Sequence, residues 1–390
     1  MKQTLVYMQR PLLKPTGGPT GYCYNLATQL EAKGAQDIHF INSTEGDVTA
    51  FNDWVKRIKW EWLRYAITIL KSIYKKWMLL YGRKHVAMVD LNKYDIVHFH
   101  SSHTMFEVRD SLKNYKGKVV LTSHSPTLLS KEYFSYLTPW EQKHMAWFYK
   151  KLIRMDEYAF NRADYIIFPC EEAEEPYKNN WPDFATFKEH NKDKFRYLLS
   201  GITPPSAKKT RAEIREKYKI PENAFVISYV GRHNELKGYD LLKRIGQEVL
   251  NNENIYFLIA GKEEPLKGLD DSRWIEVGWT NDPHSLVAAS DMFILPNRET
   301  YFDLVLLEVL SLGKIILATY TGGNKFFEKL KPNGIITYTN EDDAVQKINQ
   351  IMHLSSEERK ELELLNKKLF DSQFTASVFA ENYVRLIGSL

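Results

Sequence analysis

Short apolar runs rich in β-branched and aromatic residues recur along the chain, with amphipathic stretches between them. "TLVYM" (4–8), "DIHFIN" (37–42), "YDIVHFH" (94–100), "KVVLTSH" (118–124) and "DYIIFPC" (164–170) make a first series. "FVISYVG" (225–231), "IYFLIAG" (255–261), "WIEVGWT" (274–280), "MFILPN" (292–297), "KIILATY" (314–320) and "GIITYT" (334–339) make a second. Runs so short and so uniformly apolar read as strands covered on both faces, the pattern of a parallel sheet. Helical stretches between them imply βαβ units. The Pro-Pro of "GITPPSAKKT" interrupts the alternation. We therefore expect an α/β chain of two Rossmann-like, doubly wound domains, at 1–202 and 211–372. A linker at 203–210 joins them, and a last helix at 373–390 packs back on the first domain. Ligands of such sheets sit just past the carboxyl ends of strands.

Composition narrows the class. Apolar residues make up 44% and charged residues 26% of the 390, values of a soluble globular protein. Two cysteines, Cys23 and Cys170, make no disulfide framework, and a reducing compartment is expected. Cys23, near a helix start, reads as a small buried hydrophobe. The first residues lead into a strand, so a secretory signal is not expected, and no run of apolar residues is long enough to span a bilayer.

The net charge of +4 is unevenly placed. Residues 51–86 hold nine Lys/Arg against two acids, and the rest of the chain is slightly acidic. A nucleic-acid binder would draw its positive face from many elements, so nucleic acid is excluded as a partner. Within this segment, 54–80 carries four tryptophans, two tyrosines and seven cations. Drawn as a helix, it sets Arg57, Arg64, Lys71 and Lys75 on one face and Trp62, Leu63, Leu70, Ile73 and Trp77 opposite, with Lys59 interrupting the apolar side. That composition suits contact with an anionic membrane surface; the alternative is a helix packed on the sheet with its cations reaching to solvent.

Candidate chemistry clusters after strands. Arg232 and Lys237 stand five apart in "YVGRHNELKGYDLL" (229–242), with Gly231 and Gly238 allowing close backbone approach. An arginine fork and a lysine point charge suit an oxyanion. A helix starting near Leu304 and Val305 offers free N–H groups to the same anion. Glu308, four residues on among Val305, Leu306, Leu307 and Val309, is expected to be buried and therefore to need a ligand. His98, His100 and His103 look like a metal cluster but are read as polar wall residues, with no metal expected.

In order, "YVGRHNELKGYDLL", "IAGKEE" (259–264), "VGWT" (277–280), "LVAASDMFILPN" (286–297), "LVLLEVLSLG" (304–313) and "TGGNKFF" (321–327) resemble the family 4 retaining glycosyltransferases of GT-B fold. "TGGPTGYCYNLATQL" (16–30) and "VVLTSHS" (119–125) carry a weaker likeness into the first half. The resemblance implies two Rossmann-like domains facing a cleft, a nucleotide diphosphate sugar as donor substrate, and no cofactor. In it, Arg232 and Lys237 stabilise the leaving diphosphate and His124 touches the donor sugar. Gly18, Gly231, Lys262, Leu304, Val305, Gly322 and Gly323 line the donor, and Glu308 takes the ribose hydroxyls. Gly17, Thr20, Gly21 and Tyr22 line the acceptor side.

One departure stands out. The family's first acid falls at Thr300, which brings no charge. Either the donor sugar needs no acid there, as a 6-deoxy sugar would, or Glu299 or Asp303 supplies the carboxylate, or catalysis is lost. We expect an active hexosyl- or deoxyhexosyltransferase of cell-surface polysaccharide or glycolipid synthesis, with a lipid-linked acceptor, cytoplasmic and peripheral on the inner face of the plasma membrane. A non-catalytic nucleotide-sugar-binding partner, or a soluble enzyme acting on a protein or small molecule, is the alternative.

Overall fold

The computed structural model describes residues 2–8, 18–42, 59–81, 87–125 and 127–390. By its internal contacts the chain forms two units. One comprises Met1–Phe168, Tyr177–Tyr197 and Val384–Leu390; the other comprises Pro169–Pro176 and Leu198–Tyr383. The boundary thus falls at Tyr197–Leu198, a few residues before the Pro-Pro segment.

The first unit holds a six-stranded sheet, β1 (Thr4–Met8), β2 (Ile38–Asn42), β3 (Ile96–Phe99), β4 (Lys118–Thr122), β5 (Tyr165–Phe168) and β6 (Phe195–Tyr197), in the order β2-β1-β3-β4-β5-β6. Every neighbouring pair is parallel, with Val6 level with Phe40 on one side and His98 on the other. β6 was not expected: it is a three-residue edge strand with Arg196 at its centre and no apolar run to announce it.

The second unit repeats the plan with β7 (Phe225–Val230), β8 (Ile255–Ala260), β9 (Trp274–Gly278), β10 (Met292–Leu295), β11 (Ile315–Thr319) and β12 (Ile335–Tyr338), ordered β12-β11-β10-β7-β8-β9. β7 and β10 lie side by side at the centre, where the strand order reverses. In an open α/β sheet that is where ligands gather. Ile227, Phe257, Ile294 and Leu317 are fully buried in one apolar cluster, and Val226 and Leu258 in another, so the central strands are covered from both faces.

Two helical segments of the first unit bear on the expected site residues. The helix after β1 spans Gly18–Ala32, so the glycine stretch from Gly18 on is the helix's opening rather than a loop before it. The basic aromatic segment forms the helix Glu61–Tyr81, which has no buried residue. No helix among the described residues is long and apolar enough to cross a membrane.

Candidate functional site

In the second unit the loop after β7 is fixed before it presents any charge. The Tyr229 hydroxyl donates to the Arg232 carbonyl at 2.9 Å, and Asn234 Oδ1 accepts from the Lys237 amide at 2.9 Å. Gly238 then turns with φ +66° into the helix Tyr239–Val249. A β-carbon there would lie 1.7 Å from the Pro296 carbonyl oxygen, so only glycine lets this loop meet the segment after β10.

That approach brings Lys237 to Asp303. Lys237 Nζ lies 2.6 Å from Asp303 Oδ2, with the two side chains 28% and 18% exposed. Asn297 Nδ2 donates to the same oxygen at 2.5 Å. Burial alone would raise the Asp303 carboxyl, but the Lys237 charge and the hydrogen bonds from Lys237 and Asn297, with Arg232 nearby, outweigh it and hold the group below the ordinary carboxylate range. Asp303 occupies the N-cap of the helix Leu304–Ser311 yet makes no side-chain cap bond. Its carboxylate is turned to Lys237, leaving the Leu304 and Val305 amides uncapped by it. Asn297 Oδ1 is buried without a hydrogen-bond partner among the described residues. Arg232 stands exposed on the same loop.

Glu308 requires a correction. Its helix is apolar and buried at Leu306, Leu307, Val309 and Leu310, but Glu308 itself is half-buried and not unpaired. Its Oε2 lies 3.1 Å from Nε2 of His284, on the helix Pro283–Ala289. His284 was missed by the sequence reading, since nothing local ties it to a residue 24 positions on.

Thr300 is buried at 3% exposure. Its carbonyl oxygen lies 1.9 Å from where a Gly322 β-carbon would be, and the Tyr301 carbonyl 2.2 Å from that of Gly323. These glycines therefore admit the backbone at 300–301, a packing role that the expectation of sugar-reading glycines did not include. Glu175, also unforeseen, accepts from the Gly322 amide at 3.1 Å and pairs with Lys325, anchoring the same turn. Asp303, one of two residues considered as a replacement acid, is committed to Lys237; Glu299 is half-buried beside Thr300. Lys262 is exposed after β8, next to Gly261, whose β-carbon would lie 1.9 Å from the Gly231 carbonyl oxygen, and it pairs with Glu264 at 2.6 Å. Exposed pairs of this kind contribute little.

In the first unit, His124 is half-buried just past β4, and its Nε2 lies 2.8 Å from His100 Nδ1. The two rings stack, His98 lies over His100 at 4.2 Å, and His98 Nε2 meets the Thr122 hydroxyl at 2.8 Å. Burial lowers His98 and His124 to about 3 and His100 well below the ordinary value, so the strip is neutral at pH 7. Among the described residues no group of three or more potential ligands is arranged to hold a metal ion.

Tyr22 was read as an acceptor-side residue; it is buried, with its ring edge-on to His124 at 4.7 Å. Gly21 is buried with it, Thr20 is half-buried and Gly18 is exposed. Gly17 lies outside the described residues, as does Arg57. Of the other membrane-contact residues, Trp62, Arg64, Lys75 and Trp77 are exposed and Lys71 is half-buried. Cys23 is fully buried, and burial pushes its thiol up.

Known proteins match both halves. A family model described as glycosyl transferases group 1 matches residues 210–368, and one described as glycosyltransferase family 4 matches 16–183. A glycogen synthase of Acholeplasma laidlawii is 26% identical over 186 residues, 42% of this chain and 38% of that protein. An Escherichia coli UDP-Gal:α-D-GlcNAc-diphosphoundecaprenol α-1,3-galactosyltransferase is 26% identical over 171 residues, 40% of this chain and 43% of its own length. The chain thus spans less than half of each of these two curated relatives. Among solved structures, Anabaena HepE in complex with UDP and glucose superposes with a TM-score of 0.63 at 14% identity, covering 100% of both chains. Twin parallel sheets, a cationic loop past the first strand of the second sheet, and a family match over each half lead to one assignment: the chain belongs to the group 1, family 4 glycosyltransferases of GT-B fold.

Proposed function

We propose that the chain is a retaining glycosyltransferase that moves a sugar from a nucleotide diphosphate sugar to an acceptor hydroxyl. The observation that carries this reading is the Lys237–Asp303 pair at the tip of the helix Leu304–Ser311. An oxygen anion already lies beside an ammonium group and helix amides that its own side chain does not cap, which is the environment a leaving diphosphate needs. The donor's phosphate oxygens displace the Asp303 carboxylate, and Arg232 closes from the same loop. Glu308, oriented by His284, accepts from the ribose hydroxyls. The sugar–oxygen bond breaks with its electron pair passing to the diphosphate, the acceptor oxygen bonds to the anomeric carbon on the same face, and the acceptor's proton passes to the leaving group. With Thr300 neutral, the donor sugar is one that needs no acid at that position, such as a 6-deoxy sugar, or one met by Glu299 beside it.

Calorimetric titration of the chain with UDP, GDP and dTDP tests the site. One of them is expected to bind; silence from all three would falsify the reading. Asp303→Asn is expected to tighten nucleoside diphosphate binding by about tenfold, because it removes a competing negative charge a few ångström from the phosphates. Unchanged or weaker binding in that variant would show that the carboxylate does not compete with the nucleotide.

The same ion pair favours a second reading, a nucleotide-sugar-binding partner without turnover, because Asp303 neutralises the cation that catalysis would use. Transfer and hydrolysis assays over a donor panel separate the two: binding with no turnover of any donor supports the partner. The acceptor is proposed to be lipid-linked, as in the name of the Escherichia coli relative, and the chain to work on the anionic inner face of the plasma membrane. The exposed basic aromatic helix Glu61–Tyr81 supports that placement.

A further inference from the structure

The helix Glu61–Tyr81 does not stand alone. Near its C-terminal end, Leu79 and Leu80 pack on Phe148, Leu152 and Met155, which ties it to the helix Ala146–Arg162. Lys76 pairs with Glu141, on the short helix Pro139–His144 that precedes it.

Across this junction runs a continuous ladder of exposed rings. Tyr74 and Trp77 stack at 6.4 Å between centroids, and Trp77 and Tyr81 follow at 5.7 Å. Lys151 Nζ then lies 5.7 Å from the Tyr81 ring centroid and 5.4 Å from that of Trp147, on the second helix. The four aromatics are between 40% and 53% exposed. Residues 59–81 and 139–154 together carry nine Lys/Arg and two acids, and both acids are paired, Glu61 with Arg64 and Glu141 with Lys76.

Apolar surface of this extent is costly in water and calls for a cover. A second copy of the chain would bring the same positive face against it and be repelled. Trp and Tyr rings interleaved with cations match the boundary of a bilayer, where amphipathic rings sit at the headgroups and ammonium groups meet anionic lipid.

We infer that the chain docks on anionic lipid bilayers through one composite face, the Tyr74–Trp77–Tyr81 edge of the first helix joined through Lys151 to Trp147 of the second. The inference rests on the membrane placement proposed above and adds a second element to it. A single helix gripping the surface pivots; two helices crossed by a shared ladder fix the orientation of the first unit on the lipid plane.

Cosedimentation of the full chain with phosphatidylcholine vesicles, and with phosphatidylcholine–phosphatidylglycerol vesicles, tests it. The wild type is expected to sediment with the mixed vesicles and poorly with the zwitterionic ones. Lys151→Glu, which exchanges a cation for an acid at the centre of the ladder, is expected to lower partitioning by about tenfold or more. Trp147→Ala is expected to lower it by a smaller factor. Circular dichroism and nucleotide binding check that both variants fold.

If neither variant changes partitioning while joint charge reversal at Arg64, Lys71 and Lys75 abolishes it, the first helix acts alone; this inference is then overturned and the membrane placement stands. If the wild type ignores mixed vesicles, or instead dimerises or binds a single-stranded oligonucleotide through this face, both are overturned.

Discussion

Lys237→Ala is expected to cut turnover by about 10²-fold or more while the fold persists, the usual consequence of losing one preorganised charge at a developing anion. The structure complicates this, because Lys237 has two roles. Its ammonium holds the Asp303 carboxylate at 2.6 Å, and Asn297 donates to the same oxygen. Removing the lysine leaves a largely buried carboxylate without its cation, which destabilises the site independently of catalysis. The double variant Lys237→Ala/Asp303→Asn separates the two effects. It removes the stranded charge, so its thermal stability should recover toward wild type. Its turnover should stay low, because nothing replaces the positive charge facing the diphosphate. Recovery of turnover together with stability would mean that Lys237 only supports the loop. The same pair of variants probes binding: Asp303→Asn alone should bind nucleoside diphosphate more tightly, and the double variant more weakly.

The strands were legible because each is a run of consecutive apolar residues buried on both sides, and β1 matches its expected span residue for residue. β6 escaped because three residues at a sheet edge, with a half-buried arginine between Phe195 and Tyr197, leave no periodic signal. The glycines at 17–21 read as site-lining residues, whereas Pro19, a residue suited to a first helical turn, was the better guide to a helix already under way at Gly18. The site divides along similar lines. Arg232 and Lys237 could be grouped from the sequence because they share one loop, and Glu308 singled out because it lies one turn into a helix. Their pairings could not be read there: Asp303 is 66 positions from Lys237, and His284 is 24 from Glu308. Such pairings are made by the sheet, which sets the loop after β7 beside the segment after β10. Gly322 and Gly323 were placed in the right neighbourhood for a different reason, since what they approach most closely is the backbone at Thr300 and Tyr301. The basic aromatic helix was recognised from its composition, but only the packing reveals that its aromatic edge continues through Lys151 onto Trp147.

Gly238→Ala should be the most damaging single-methyl change in the second unit. Two independent costs meet at this residue. Its φ of +66° lies in the left-handed region, where a β-carbon costs about 1–2 kcal/mol. Its β-carbon would also stand 1.7 Å from the Pro296 carbonyl oxygen and 2.6 Å from the carbonyl carbon. These are backbone atoms at the end of β10, which has no rotamer to change, so the loop itself must retreat. Overpacking of this kind adds about 1–3 kcal/mol, for a total near 3 kcal/mol and a fall in melting temperature of about 6–12 °C. Gly278→Ala is the control: its φ is +73°, but nothing lies within 4 Å of the added carbon, so it carries only the backbone cost. The difference between the two variants measures the clash. The retreat also has a functional consequence, because Gly238 is what presses Lys237 toward Asn297 and Asp303. Gly238→Ala should therefore weaken nucleoside diphosphate binding along with stability, whereas Gly278→Ala should lower stability by the smaller amount and leave the Lys237–Asp303 contact in place. Equal melting temperatures for the two variants would mean that the loop after β7 moves freely from Pro296, and the close approach that brings the cation to the helix tip would then lose its structural basis.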